Sequence, residues 1–200
     1  SSLATAITRL PGGRVECINA NFTGSTATKK VYGADGVNLA FEFDGTNYIP
    51  IRTGMTTDTP SHVIEHRNYL ILSFLGSVQL SGIGNPYAWT AVLGASEIST
   101  GSEVTGFLTQ SGNGTGAALA IFTKDQTFIL YGSGSSSFNL VPSIFDIGYS
   151  AYTMQSVSNN TYGLTARGIQ SLLTTQNYGD FAYASVSHMI QPLITRKFGL

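Results

Sequence analysis

Residues 65–89, EHRNYLILSFLGSVQLSGIGNPYAW, constrain the fold of this chain more than any other stretch. Tyr69, Leu70, Ile71 and Leu72 form a continuous apolar run. Leu75-Gly76 supplies a turn, and on the return Val78 and Leu80 alternate with Ser77, Gln79 and Ser81. An apolar run, a tight turn and an alternating run predict a β-hairpin. A Gly-Asn-Pro turn then leads to Trp89, the only tryptophan, and a large aromatic just beyond a strand is expected to plug a core. Strand, turn, strand and aromatic plug amount to half a propeller blade.

The pattern recurs. Around Asp44-Gly45, Leu39, Phe41 and Phe43 are expected on one face and Asn38, Ala40 and Glu42 on the other, with a type I′ turn into residues 46–51. Residues 117–122 and 127–131 flank a polar turn at Lys124-Asp125-Gln126, and residues 162–166 and 169–173 flank Arg167-Gly168. The four turns at Gly45, Gly76, Asp125 and Gly168 recur on average about every 40 residues, the length of a propeller blade. Outside the hairpins, residues 14–18 alternate behind a Pro-Gly-Gly turn, and residues 103–110 read as a strand. Residues 54–60, 91–101, 111–116 and 132–137 read as connections, and the apolar stretch 138–147 as broken by Pro142. Helix is expected only in residues 185–191, capped by Ser185 and ended by Pro192.

These readings give an all-β fold: a β-propeller-like array of about four antiparallel hairpin blades with a short C-terminal helix, and room for further blades outside the chain. The expected organisation is an N-terminal segment with a first strand (1–30), a propeller-like β domain (31–184) and a helical tail (185–200). The first ten residues, SSLATAITRL, lack an initiator Met and the layout of a signal peptide, so the expectation is a processed chain or part of a longer one. Without that signal, the sequons at Asn21, Asn113 and Asn159 are expected to go unused.

Composition narrows function. Only 10% of the 200 residues are charged and the net charge is −1, against roughly 25% charged in an ordinary soluble domain. Such a surface repels its neighbours weakly and suits a protein held in an assembly. It offers no cluster of Lys and Arg to grip nucleic acid. No apolar run reaches the roughly 18 residues of a membrane span. The single cysteine, Cys17, has no internal disulfide partner and is expected to be a small buried side chain.

One string spells a catalytic motif. His62-Val63-Ile64-Glu65-His66 matches H-x-x-E-H, which binds zinc when both histidines share one face of a helix and the glutamate activates a bound water. Pro60 before it and a strand directly after it leave little room for a helix. In an extended segment the two histidines stand roughly 13 Å apart. The glycine runs at 112–116 and 132–134 lack the Lys-Ser/Thr and helix of a phosphate cradle. Asp44, Asp58, Asp125, Asp146 and Asp180 sit at turns, where aspartate serves local hydrogen bonding. Cys17 has no assignable base, and the 22 aromatics read as hairpin core and interface anchors more readily than as a sugar-binding face. No catalytic, metal or cofactor residue is therefore assigned.

The order of the motifs resembles the tail nozzle or hub proteins of short-tailed bacteriophages and related tail-tube proteins. The carrying residues are His66-Arg67-Asn68-Tyr69-Leu70, then Gln79-Leu80-Ser81, Gly84-Asn85-Pro86 and Trp89. They continue with residues 101–106, Ala120-Ile121-Phe122, Leu130-Tyr131-Gly132 and Ala166-Arg167-Gly168-Ile169. The resemblance covers about residues 15–197. It implies a virion protein with β-propeller repeats, made in the bacterial host cytoplasm. Such a protein forms a homo-oligomeric ring, six-fold in symmetry, at the end of the tail. Other tail and connector proteins are its neighbours, DNA is only transiting cargo, and there is no stable membrane insertion, no cofactor and no catalytic residue. The rival expectations are a sugar-binding propeller that recognises a host surface, and a hydrolase built on His62, Glu65 and His66.

Overall fold

The computed structural model describes residues 8–24, 28–110, 118–144, 147–157, 160–174 and 181–198. The chain divides into two units, Ser1–Glu97 and Ile98–Leu200. The described residues form four four-stranded antiparallel sheets, each a meander in chain order, and almost no helix.

The first unit holds two of these sheets. One is β1 (Glu16–Ala20), β2 (Lys30–Ala34), β3 (Phe41–Phe43) and β4 (Tyr48–Pro50). The other is β5 (Val63–His66), β6 (Tyr69–Phe74), β7 (Ser77–Leu80) and β8 (Ser96–Ser99), the last strand carrying the chain across the boundary. Every residue of β6 is buried, as a continuous apolar run requires of a strand covered on both faces. Leu70, Ile71 and Leu72 have no exposed surface, and each such side chain contributes about 2 kcal/mol. Leu70 and Leu72 join Tyr32, Ala34, Ala40 and Ile51 in one core, with Trp89 packed against its side.

The second unit contains β9 (Val104–Gln110), β10 (Ala118–Thr123), β11 (Thr127–Tyr131) and β12 (Asn139–Ile144) in one sheet. Its other sheet is β13 (Gln155–Val157), β14 (Asn160–Thr165), β15 (Gly168–Thr174) and β16 (Phe181–Ser185). Phe122, Ile129, Ile147, Tyr149 and Leu172 form its core, and a buried hydrogen bond from Thr161 Oγ1 to Gln110 Oε1 (2.9 Å) ties β14 to β9. Gly148 is needed where it stands, because a Cβ there would lie 1.5 Å from the Lys124 carbonyl oxygen. Helix α1 (Gln191–Phe198) closes the described chain, and no helix among the described residues is long and apolar enough to cross a membrane.

The expected hairpins form β3–β4, β6–β7, β10–β11 and β14–β15. The expectation of about four blades thus corresponds to four sheets, to which each hairpin contributes two strands. Strand β1 lies in the segment expected at 1–30 and pairs with β2.

Several local expectations are corrected. On β3 the two faces alternate as expected, and the inner one is that of Ala40 and Glu42, which are buried, while Phe43 is exposed and Phe41 half-buried. Asp44-Gly45 is not a two-residue type I′ turn. Gly45 has φ +99°, but the loop spans residues 44–47 and is tied by Asp44 Oδ1, which accepts from the Thr46 (2.8 Å) and Asn47 (2.6 Å) amides. Positive φ at both turn centres occurs instead at Arg67 (54°) and Asn68 (65°), between β5 and β6. Pro142 does not break its stretch. It sits inside β12, an edge strand, beside a register shift at Thr127/Phe128, where a missing N–H costs little. The connection 91–101 contains a 3-10 turn, Ala91–Leu93, and β8. The C-terminal helix begins where it was expected to end, with Pro192 in its first turn, where the amide has no intrahelical partner anyway.

Candidate functional site

The H-x-x-E-H string lies on and just before β5, in extended backbone, so the helix that the zinc chemistry needs is not formed. Two of its three polar residues have a structural task. Glu65 Oε1 accepts the Asn68 amide (2.7 Å) and holds the β5–β6 turn. His62 is buried, its amide donating to Ser73 Oγ (3.0 Å) and its Nδ1 lying 2.6 Å from Glu16 Oε2, a pair that joins β5 to β1. His66 is also buried. Burial, helped by the neighbouring Arg67 charge, lowers its pKa to about 4 and keeps the ring neutral. Among the described residues no three or more His, Cys, Asp or Glu come together as a metal site.

Cys17 is exposed, contrary to expectation. On β1 the inward positions are Glu16, Ile18 and Ala20, and period-two alternation sends Cys17 outward. Partial burial still pushes its thiol above the ordinary value, against the lowering influence of Arg9. Of the turn aspartates, Asp44 and Asp58 bond locally, Asp58 to Thr53, and Asp125 accepts from Ser102 Oγ. Asp146 and Asp180 lie outside the described residues, as do Asn113, Asn159 and the glycine run 112–116. His188 lies in a 3-10 turn, His188–Ile190.

The polar constructions of the first unit lie elsewhere, on both faces of β3. On the inner face, Glu42 is 1% exposed and accepts from Lys30 Nζ (2.5 Å) and Tyr32 OH (2.7 Å), with the Tyr87 hydroxyl as a further donor. Burial and the adjacent carboxylate both push the Tyr32 and Tyr87 hydroxyls far up, so they remain donors. On the outer face, the Phe41 and Tyr48 rings stack at 4.9 Å and Arg9 lies over them, its Cζ 4.7 Å from the Phe41 centroid and 5.7 Å from that of Tyr48. Arg9 Nη1 donates to the Tyr48 hydroxyl, and Nη2 donates to buried Asp35 Oδ2 at 2.7 Å. Burial alone would raise the Asp35 pKa. The donors Arg9, Asn38 and the Val37 amide outweigh it and hold the group at about 2. A cleft of about 330 Å³ opens beside this group, lined by Thr8, Arg9, Asn38, Leu39, Tyr48 and Pro50.

Sequence reasoning missed both constructions. The available signal was Glu42 itself, a charge at an alternating position between Ala40 and the turn, where burial demands partners. Arg9, far off in sequence, gave none.

A third feature is the loop at residues 81–95, SGIGNPYAWTAVLGA, which contains no charged residue. It is internally bonded: Gly82 N to Ala88 O, Asn85 N to Gly82 O, Leu93 N to Thr90 O, and Trp89 Nε1 to Pro86 O (2.9 Å). Yet Ile83, Tyr87 and Leu93 are exposed, and Val92 is 96% exposed. In the second unit Val186, Met189, Ile190 and Leu193 are exposed as well.

No protein-family model matches the sequence, and neither does any curated protein at a significant level. Among solved structures the chain is similar to BBS1N, from a crystal structure in complex with ARL6DN. The match has 13% identity and a TM-score of 0.55, covering 85% of this chain and 53% of that one. It is also similar to the computationally designed Ika8 protein, with 12% identity and a TM-score of 0.51, covering 78% of this chain and 46% of that one. The chain spans about half the length of each. Likeness at this identity concerns the fold alone, and BBS1N is a β-propeller-like domain. The class is therefore all-β and propeller-like, four antiparallel sheets in sequential order.

Proposed function

We propose that this chain is a structural subunit of a bacteriophage tail, part of a homo-oligomeric nozzle or hub ring through which the genome passes, and not an enzyme. It is made in the host cytoplasm and works in the virion, beside other tail and connector proteins. The ordered motifs from His66 to Ile169 support the family, and a propeller-like array is compatible with it.

The observation that carries the assembly reading is the loop at 81–95. A pre-ordered, uncharged loop that presents Ile83, Val92 and Leu93 to solvent costs little entropy to dock and gains by covering apolar surface. Head-to-tail contact between such subunits makes a ring when the rotation closes. Light scattering on concentrated protein tests it. The wild-type chain is expected to form a large, stable oligomer, and Val92→Asp with Leu93→Asp is expected to reduce it to monomer with unchanged circular dichroism. A wild-type protein that stays monomeric refutes the reading.

A further inference from the structure

The outer face of β3 holds residues 8–10 as a receptor holds a peptide. Asn38 reads the backbone: its Oδ1 accepts the Leu10 amide (2.8 Å) and its Nδ2 donates to the Leu10 carbonyl (3.0 Å). The side chain of Arg9 is read separately by the Asp35 carboxylate, the Tyr48 hydroxyl and the Phe41 ring. A planar guanidinium suits this set, because it donates through a rigid fork while lying flat on an aromatic face, which an ammonium cannot do. Residues 35–48 supply the whole receptor, within the β2–β4 part of one sheet. The segment it holds belongs to no strand and is joined to β1 through Pro11-Gly12-Gly13. Gly12 (φ +113°) takes a backbone conformation that favours glycine, and a Cβ there would meet nothing within 4 Å, whereas a Cβ on Gly13 would meet the Asp35 carbonyl at 2.2 Å, so that the chain beyond Gly12 packs closely on the sheet.

We propose that this slot is a binding site for an extended, arginine-bearing segment, and that in the assembly it takes residues 8–10 of a second copy in place of the chain's own. The second half rests on the ring reading of the previous section. Identical copies carry identical arms, so the slot cannot tell its own from its neighbour's. Exchange across a Pro-Gly-Gly hinge loses no contact and adds a link between subunits.

The test uses the full chain carrying Arg9→Ala, which vacates the place of the guanidinium and leaves its arm held only through the Leu10 backbone, and a fluorescein-labelled peptide of residues 5–13, read by fluorescence anisotropy. The variant is expected to bind this peptide at least tenfold more tightly than does the wild-type chain, whose own arm competes. It is also expected to prefer the peptide at least tenfold over versions with Ala or Lys in place of Arg9. Equal binding of the three peptides, or none, overturns the site. Should Arg9→Ala fold poorly, Arg9→Lys serves in its place, and saturating peptide is expected to raise the melting temperature of the variant but not of the wild type. Exchange between copies is read by energy transfer from dyes on the exposed Cys17. With Val92→Asp and Leu93→Asp added to every chain, which removes the loop contact, Arg9→Ala chains mixed with Asp35→Asn chains, which keep the arm, are expected to show transfer that Arg9→Ala chains alone do not. No such difference overturns exchange. Light scattering on the wild type reads the ring separately, so a monomeric wild type whose Arg9→Ala variant still binds peptide refutes the ring and leaves the site standing.

Discussion

Replacing Glu42 by Ala probes the inner face of β3 most sharply. The carboxylate is 1% exposed and satisfies Lys30 Nζ and the Tyr32 hydroxyl directly. Removing one partner of a buried ion pair costs about 3–5 kcal/mol, because the other charge is left without compensation. The Lys30 side chain keeps 30% of its surface, so water recovers part of that loss. The Tyr32 hydroxyl is fully enclosed by comparison and adds about 1 kcal/mol when orphaned. The expected net loss is about 3 kcal/mol, read from urea unfolding at pH 7 followed by circular dichroism. The reasoning makes a second, sharper demand. Glu42→Leu with Lys30→Met removes both charges, and paired removal is often nearly neutral, so the double variant is expected to recover at least half of that loss. A single variant within about 1 kcal/mol of wild type, or a double variant no better than the single, refutes the ion-pair account.

Acid is expected to destabilise the protein in two windows. The folded-state pKa of His66 is depressed from 6.5 to about 4, so its contribution, about 3 kcal/mol, is present above pH 6.5 and lost as pH falls through 4. The Asp35 contribution, about 2 kcal/mol, is present above pH 3.8 and lost toward pH 2. Urea midpoints from pH 7 to pH 2 check this, and His66→Gln should flatten the upper window; a level wild-type profile contradicts it. Gly148→Ala should cost about 3 kcal/mol, since its Cβ meets backbone at Lys124 and must displace the Tyr149 amide from the Thr123 carbonyl, with thermal unfolding as the readout. Cys17 should label stoichiometrically with a maleimide in the native protein, at least about tenfold faster at pH 9.5 than at pH 7.5; protection from labelling would place the residue inside after all.

What the sequence made legible follows from where burial leaves a pattern. The central strands β6 and β10 are buried along their whole length, and such runs bounded by turn residues are read directly. The short outer strands β8 and β13 are polar or exposed, so SEIS and QSV carry no period to detect. The β5–β6 turn was missed because Arg67 and Asn68 take positive φ without a glycine. On β3 the alternation was legible, but not which of its two faces turns inward. A buried Glu42 with three donors, and an Arg9 that covers the outward aromatics, reverse the usual preference at long range. The receptor slot joins Arg9 to residues 35–48 through tertiary contacts that no local spacing encodes.

Electron microscopy of the purified, concentrated protein tests the central proposal most directly. The account predicts rings with a central hole in the wild type and their loss when Val92 and Leu93 are both changed to Asp. Fields of single small particles from the wild-type chain would contradict it.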